Sequence, residues 1–117
     1  MEEKVFERLG LNKKEVKIYL ALLQLGESTV IEISRKSKVE RTRTYGILES
    51  LIEKGLVSFI TENKIKKFRA ASPEKILLQL KEKEAAFMDI LPMLSKLSKL
   101  KETKEPTVDV FRGTRGV

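Results

Sequence analysis

The sequence predicts a mainly α protein with a small β-hairpin wing: a winged helix-turn-helix followed by a long C-terminal helix. Three observations lead there. The stretch Val39 to Val57, VERTRTYGILESLIEKGLV, opens in a polar basic turn, continues as an amphipathic helix and stops at Lys54-Gly55, where glycine supplies the left-handed residue that ends a helix. Two short runs of β-formers, LVSFIT and IKKFRA, then flank the turn Glu62-Asn63-Lys64. From Ser72-Pro73-Glu74, a helix start with Ser as N-cap and Pro first in the helix, helical composition continues to about Lys101. The expected organisation is a winged helix-turn-helix over 1–72, a long helix over 73–104, and a linker with a strand-like tail over 105–117.

The N-terminal elements are built to support the central helix. Glu2 to Leu9 reads as a short helix with Val5, Phe6 and Leu9 on its apolar face, stopped by Gly10. Asn12 and Glu15 have capping-box spacing and open a helix through VKIYLALLQL to Gly26. Its apolar residues, from Val16 to Leu25, cover most of the circumference, so it is the expected buried helix. Tyr19 belongs to that core or its rim. Thr29 and Glu32 make a second capping box and open a short helix, Val30 to Ser37, with Ile31 and Ile33 available for the core. A turn at Lys38-Val39 leads into the amphipathic helix, which is helix-turn-helix order. Lys38 stands where glycine is favoured, so a positive φ is expected there.

Stepping 100° per residue along that helix puts Thr44, Ile47, Leu48, Leu51 and Ile52 on one side. Thr42, Arg43, Gly46, Glu49, Ser50 and Glu53 fall on the other. A mid-helix glycine costs about 1 kcal/mol against alanine. Gly46 therefore marks either close approach of another backbone or a tolerated surface glycine.

The hairpin carries Lys64, Lys66, Lys67 and Arg69. These cations either lie along phosphates and the minor groove, or protect an exposed sheet edge from pairing. In the long helix, about 43 Å if unbroken, Leu77, Leu80, Phe87, Leu91 and Leu94 recur at three- and four-residue steps, with Glu84 interrupting the seam. Ile76, Met88, Ile90 and Leu97 widen the stripe. So much apolar surface calls for a second copy of the helix, with packing back on the N-terminal helices as the other solution. Pro92 is expected to kink or split the helix near Met88 to Leu91.

Composition narrows the function. The 117 residues are 41% apolar and contain no Cys and no His, which removes disulfides, thiol and imidazole nucleophiles and nearly every zinc site. No phosphate loop with Gly-Lys-Ser/Thr is present. No enzyme, cofactor or metal is expected. The charged, amphipathic N-terminus is no signal peptide, and no apolar run suits a membrane span. A cytoplasmic location without membrane contact follows. The net charge is +7, and residues 35–69 hold ten Lys/Arg against four Glu, whereas 73–105 hold seven basic against six acidic groups. That local excess around a helix and a hairpin is the electrostatic footprint of a nucleic-acid binder.

Three stretches, LGLNKKEVKIYLALLQLGEST, KVERTRTYGILESLIEKGLV and the wing ending KKFRAASPEKIL, together resemble the TrmB-like transcriptional regulators found mainly in archaea. The resemblance covers roughly residues 5–80, and the long helix more loosely. Arg-Thr-Arg-x-Tyr combined with Leu-x-x-Lys-Gly-Leu-Val carries its specificity. It implies a dimeric winged-helix DNA binder in which Arg41, Thr42, Arg43 and Tyr45 meet DNA at the start of the recognition helix. Two positions depart from the pattern: Glu40 replaces a frequent proline and Lys38 a frequent glycine. The tail VDVFRGTRGV looks like the first strand of the effector domain of larger members, so no small-molecule effector is expected for this chain.

The expected function is sequence-specific regulation of transcription on double-stranded DNA, by a homodimer joined through the C-terminal helix. The DNA-binding candidates are Thr29, Lys38, Arg41, Thr42, Arg43, Tyr45, Gly46, Lys64, Lys66, Lys67 and Arg69; Arg41 and Arg43 are the expected guanine or phosphate contacts. The alternative is a winged-helix module that binds protein within a larger assembly, favoured by Glu49 and Glu53 on the outward helix face.

Overall fold

A computed structural model describes residues 3–104, in the order α1 (Glu3–Arg8), α2 (Lys13–Leu25), α3 (Val30–Ser37), α4 (Arg41–Glu53), β1 (Val57–Glu62), β2 (Ile65–Ala70) and α5 (Pro73–Lys104). The mainly α fold with a two-stranded wing is the one the sequence predicts. The strand-like tail expected over 105–117 lies outside the described residues. The chain divides into two units within α5, at Leu77/Leu78.

In the first unit α2, α3 and α4 pack on one another and on the hairpin. The core is formed by Val16, Ile18, Tyr19 and Leu22 of α2, Ile33 of α3, Leu48 and Leu51 of α4, and Val57 and Phe68 of the wing. Both capping boxes are present. The Asn12 side chain accepts from the Glu15 amide and Glu15 accepts from the Asn12 amide, and Thr29 and Glu32 do the same for α3. Each box satisfies two of the amides a helix start leaves without partners.

Some expected core residues are outside. Leu23 and Leu25 of α2, Ile31 of α3, and Val5 and Leu9 around α1 are exposed. In so small a unit a helix has neighbours on only part of its circumference, so apolar residues beyond that arc meet water. From α1, Phe6 packs against the core, its ring 5.9 Å from that of Tyr19. Tyr19 is buried, and its hydroxyl donates to the Ala71 carbonyl at 2.7 Å, which fixes the chain as it leaves the wing. Burial, and then the Glu74 carboxylate, push the Tyr19 pKa up.

Glu15 joins α2 to α4. Glu15 is 2% exposed, and its carboxylate accepts from Lys54 Nζ at 2.8 Å and from Ser50 Oγ. Lys54 Nζ also donates to the Gly10 carbonyl at 2.8 Å. Ser50, expected on the outward face of α4, is therefore turned toward α2, because a buried carboxylate needs donors on both oxygens. Burial pushes the Glu15 pKa up, but the bonds from Lys54, Ser50 and the Asn12 amide, with the Lys54 charge, outweigh it and hold the carboxyl below its ordinary value.

The wing pairs Val57 with Ala70, Phe59 with Phe68 and Glu62 with Ile65. Asn63 and Lys64 both take positive φ, 50° and 66°, as a two-residue type I′ turn requires. Ser28, unassigned from sequence, adds a third edge: its amide donates to the Phe68 carbonyl and its carbonyl accepts from the Phe68 amide. That exchange seals the hairpin onto the segment before α3.

In the second unit, where a kink or a split is expected at Pro92, α5 is one helix through that residue, so it is not split there. A proline removes only one helical hydrogen bond, here that of the Met88 carbonyl, and the residues on both sides are good helix formers. Leu77, Leu80, Phe87, Leu91 and Leu94 are between 39% and 54% exposed, and Met88, Ile90, Met93, Leu97 and Leu100 are exposed as well. Of the α5 side chains, Ile76 packs against the core of the first unit's residues.

Two stability measurements follow. Lys64→Gly replaces a left-handed lysine with the residue preferred after Asn in this turn, so urea denaturation should show a gain of about 0.5–1 kcal/mol. An unchanged or lower midpoint would mean the turn is not strained. Glu15→Gln strands Lys54 and Ser50 and should lose about 1–3 kcal/mol, discounted because Lys54 is partly solvated. Since the folded pKa of Glu15 is lowered, its contribution is present above the ordinary glutamate value of about 4.3 and is lost as pH falls through the folded value. The variant's stability should accordingly fall less than the wild type's below that pH.

Candidate nucleic-acid interface

The geometry of α4 is set by the turn that precedes it. Lys38 ends α3 in the left-handed conformation, φ 61°, as its sequence position predicted. Ser34 Oγ donates to the Val39 carbonyl at 2.6 Å, and Val39 itself is buried. Thr44, fully buried, donates through Oγ1 toward the carbonyls of Glu40 at 2.9 Å and Val39 at 3.3 Å. These bonds hold the first turn of α4 against α3 without using any of its outward side chains. Glu40 occupies the N-cap position, but its carboxylate makes no capping bond.

With Thr44, Leu48 and Leu51 inward, the exposed ridge of α4 is Thr42, Gly46, Glu49 and Glu53. A Cβ added at Gly46 would meet nothing within 4 Å, so no contact inside the described fold requires glycine there. Arg41, Arg43 and Tyr45 are exposed beside this ridge. By helical position Arg43 lies on the same flank as Ile47, Ser50 and Lys54, the flank turned to α2. Arg41 and Tyr45 lie on the opposite flank. Arg43 and Ile47 share a surface depression with Asn12, Lys13 and Lys14.

The four wing cations do not share one environment. Lys64 sits in the turn. Lys66 lies on the same face as Phe59 and Phe68, its Nζ 4.5 Å from the centre of the Phe59 ring, a cation–π contact. Lys67 and Arg69 lie on the other face, where Lys67 pairs with Glu62 and Arg69 with Glu27, each at 3.2 Å. Such exposed pairs are weak and exchange readily with other anions. Thr29 is half-buried as the N-cap of α3, its hydroxyl engaged with Glu32.

Lys13 and Lys14 lie between the capping residues Asn12 and Glu15, in the first turn of α2, where two cations oppose the helix dipole. Among the described residues no cluster of His, Cys, Asp or Glu suits a metal, and no helix is long and apolar enough to cross a membrane.

A family model described as the sugar-specific transcriptional regulator TrmB matches residues 6–74. The chain is 34% identical over 85 residues to the HTH-type sugar sensing transcriptional regulator TrmBL1 of Pyrococcus furiosus, covering 70% of this chain and 25% of that protein. It is 38% identical over 77 residues to the DNA-binding HTH-type transcriptional repressor TrmBL2 of Thermococcus kodakarensis, covering 66% and 29%. Among solved structures, TrmBL2, described as an archaeal chromatin protein with a novel mode of DNA binding, superposes with a TM-score of 0.68 at 26% identity, over 95% of this chain and 43% of that one. A MarR family transcriptional regulator from Silicibacter pomeroyi shares the fold, with a TM-score of 0.52 at 15% identity over 87% of this chain and 82% of that one. The chain spans between a quarter and less than half of the TrmB relatives it matches. It belongs to the TrmB family, whose members are winged-helix, DNA-binding transcriptional regulators and not enzymes.

Proposed function

We propose that this chain binds double-stranded DNA sequence-specifically as a homodimer, with residues 1–72 contacting DNA and residues 73–104 joining the two copies. The observation that carries this reading is the solvent-facing start of α4. Thr42 and Gly46 stand on its ridge, with Arg41, Arg43 and Tyr45 beside them, while Thr44 is locked inward by its bonds to Val39 and Glu40. In a helix-turn-helix it is the N-terminal part of the recognition helix that contacts base edges. An open Gly46 lets a sugar-phosphate backbone or a base edge come close to the helix. Arg41 and Arg43 are the candidates for guanine or phosphate contacts, Thr42 for a base edge or phosphate, and Tyr45 for a phosphate. Lys38 and Thr29 lie at the two ends of α3, where they would meet the adjoining backbone.

The wing contributes affinity without sequence preference. Lys64 and Lys66 carry most of it, since Lys67 and Arg69 must first exchange Glu62 and Glu27 for phosphates. Glu49 and Glu53 favour the second reading, a protein-binding winged helix, because carboxylates in a groove meet phosphates. They occupy the later turns of α4, away from its base-reading start, which keeps the DNA reading ahead. A cytoplasmic location goes with that reading. TrmBL1 is described as sugar sensing, but this chain spans 25% of it, and no effector is proposed.

The homodimer is supported by the apolar stripe of α5. Leu77, Leu80, Phe87, Leu91 and Leu94, with Met88, Ile90 and Leu97 beside them, are all exposed along one helix, and large exposed apolar patches mark interaction surfaces. A second α5 would cover it by knobs-into-holes packing.

Arg43→Ala should weaken binding to a cognate site by about 1–3 kcal/mol and relax base preference at one position, read by titration against cognate and random duplexes. Equal loss on both duplexes would reassign Arg43 to the phosphates. Leu91→Glu with Leu94→Glu should convert a sedimenting dimer to a monomer while circular dichroism remains helical. A wild type that sediments as a monomer at micromolar concentration would end the dimer reading.

A further inference from the structure

We infer that Lys13, Lys14 and Lys17 of α2 form a second, sequence-independent phosphate-binding wall for the DNA strand that borders α4. This rests on the DNA reading above and adds to it a surface outside the recognition helix and wing.

The placement comes from the contact between α2 and α4. Glu15 binds Ser50 and Lys54, which fixes the start of α2 along one flank of α4. Lys13 and Lys14 precede Glu15 and line the same depression as Arg43 and Ile47, so three cations border that flank. Both lysines are exposed, and neither joins a salt bridge among the described residues. Glu15, the adjacent carboxylate, points inward and is already occupied. Lys17, one turn further along α2, lines the next groove with Lys36 and Lys38 from the end of α3; Glu3 is the acid that lines it. The basic surface thus continues from Arg43 along α2 to the residue that ends α3.

A helix with its side chains is about 10–12 Å across, and the major groove is about 12 Å wide. A helix seated there has a phosphate backbone on each side. Whatever flanks the ridge of α4 therefore meets phosphates, and on the α2 side that is Lys13 and Lys14, with Lys17 one turn further along α2 extending the surface toward the end of α3. The family of positions also explains a local cost. Lys13 and Lys14 occupy the first turn of α2, where the helix dipole disfavours cations. A bound phosphate reverses that penalty.

The test uses the full chain, a random-sequence duplex and a cognate duplex, with affinity measured between 50 and 200 mM salt. Each phosphate contact contributes about 0.9 to the slope of log affinity against log salt. K13Q/K14Q/K17Q removes two to three phosphate contacts and should lower the slope on both duplexes by about 1.8–2.7, so that it loses about 12- to 40-fold less affinity over that range than the wild type. Its ratio of cognate to random affinity should be unchanged, and its melting temperature equal or higher, which shows that the fold is intact. K81Q/K96Q, on α5, removes two charges elsewhere and should leave the slope as it is. An unchanged slope in the triple variant overturns the wall, and so does an equal fall per charge in K81Q/K96Q, which would reduce the effect to net charge. A wild type with no salt-dependent binding overturns the DNA reading itself, an outcome distinct from the first two.

Discussion

The buried carboxylate of Glu15 is the interaction on which the presentation of α4 depends. A charge removed from water must be matched by donors, and here Lys54 and Ser50, both from the last turns of α4 and its cap, supply them. The pairing crosses between helices, so it sets how α4 lies against α2. With the far end of α4 held by Glu15 and the near end by Thr44 and Val39, the helix is fixed at two points. Its outward ridge then follows from helical geometry alone. Breaking such a pair is costly because it leaves a buried charge behind, even where the intact pair adds little net stability. The clamp is therefore best understood as fixing orientation.

Most of the fold was legible because local rules agree with one another. Asn12 and Thr29 cap where their spacing to Glu15 and Glu32 says they should, Gly55 ends α4, and Asn63-Lys64 turns the hairpin. The α4 pattern separated Thr44, Leu48 and Leu51 from Thr42, Gly46 and Glu49 correctly. What could not be read were outcomes set by partners distant in sequence. Ser50 has an outward angle but a buried acceptor 35 residues away. Ser28 becomes a strand partner only because Phe68 is brought beside it. Leu23, Leu25 and Ile31 satisfy the apolar pattern, yet the unit covers them only in part and about two-fifths of each stays exposed.

The candidate interface was legible in its residue types and less so in its arrangement. Composition located a basic excess, and the α4 pattern put Arg41, Arg43 and Tyr45 at an exposed helix start. It did not separate the flanks, which places Arg43 with Lys13 and Lys14. Nor did it distinguish wing cations facing solvent from those already paired. Lys67 and Arg69 count equally with Lys64 in a charge sum, but Glu62 and Glu27 lie within 3.2 Å of them. A net charge measures the field at a distance, whereas contacts with phosphates depend on which cations are unengaged.

Lys38 and Lys64 share a property with consequences for selection. Both are lysines held at positive φ, where glycine would be unstrained. Lys13 and Lys14 add charge at the unfavourable end of a helix. At four positions, then, the chain carries a cation where a different residue would serve the fold better. Variants enriched for heat resistance alone would lose these lysines early, and the molecules recovered would be more robust and carry less positive charge.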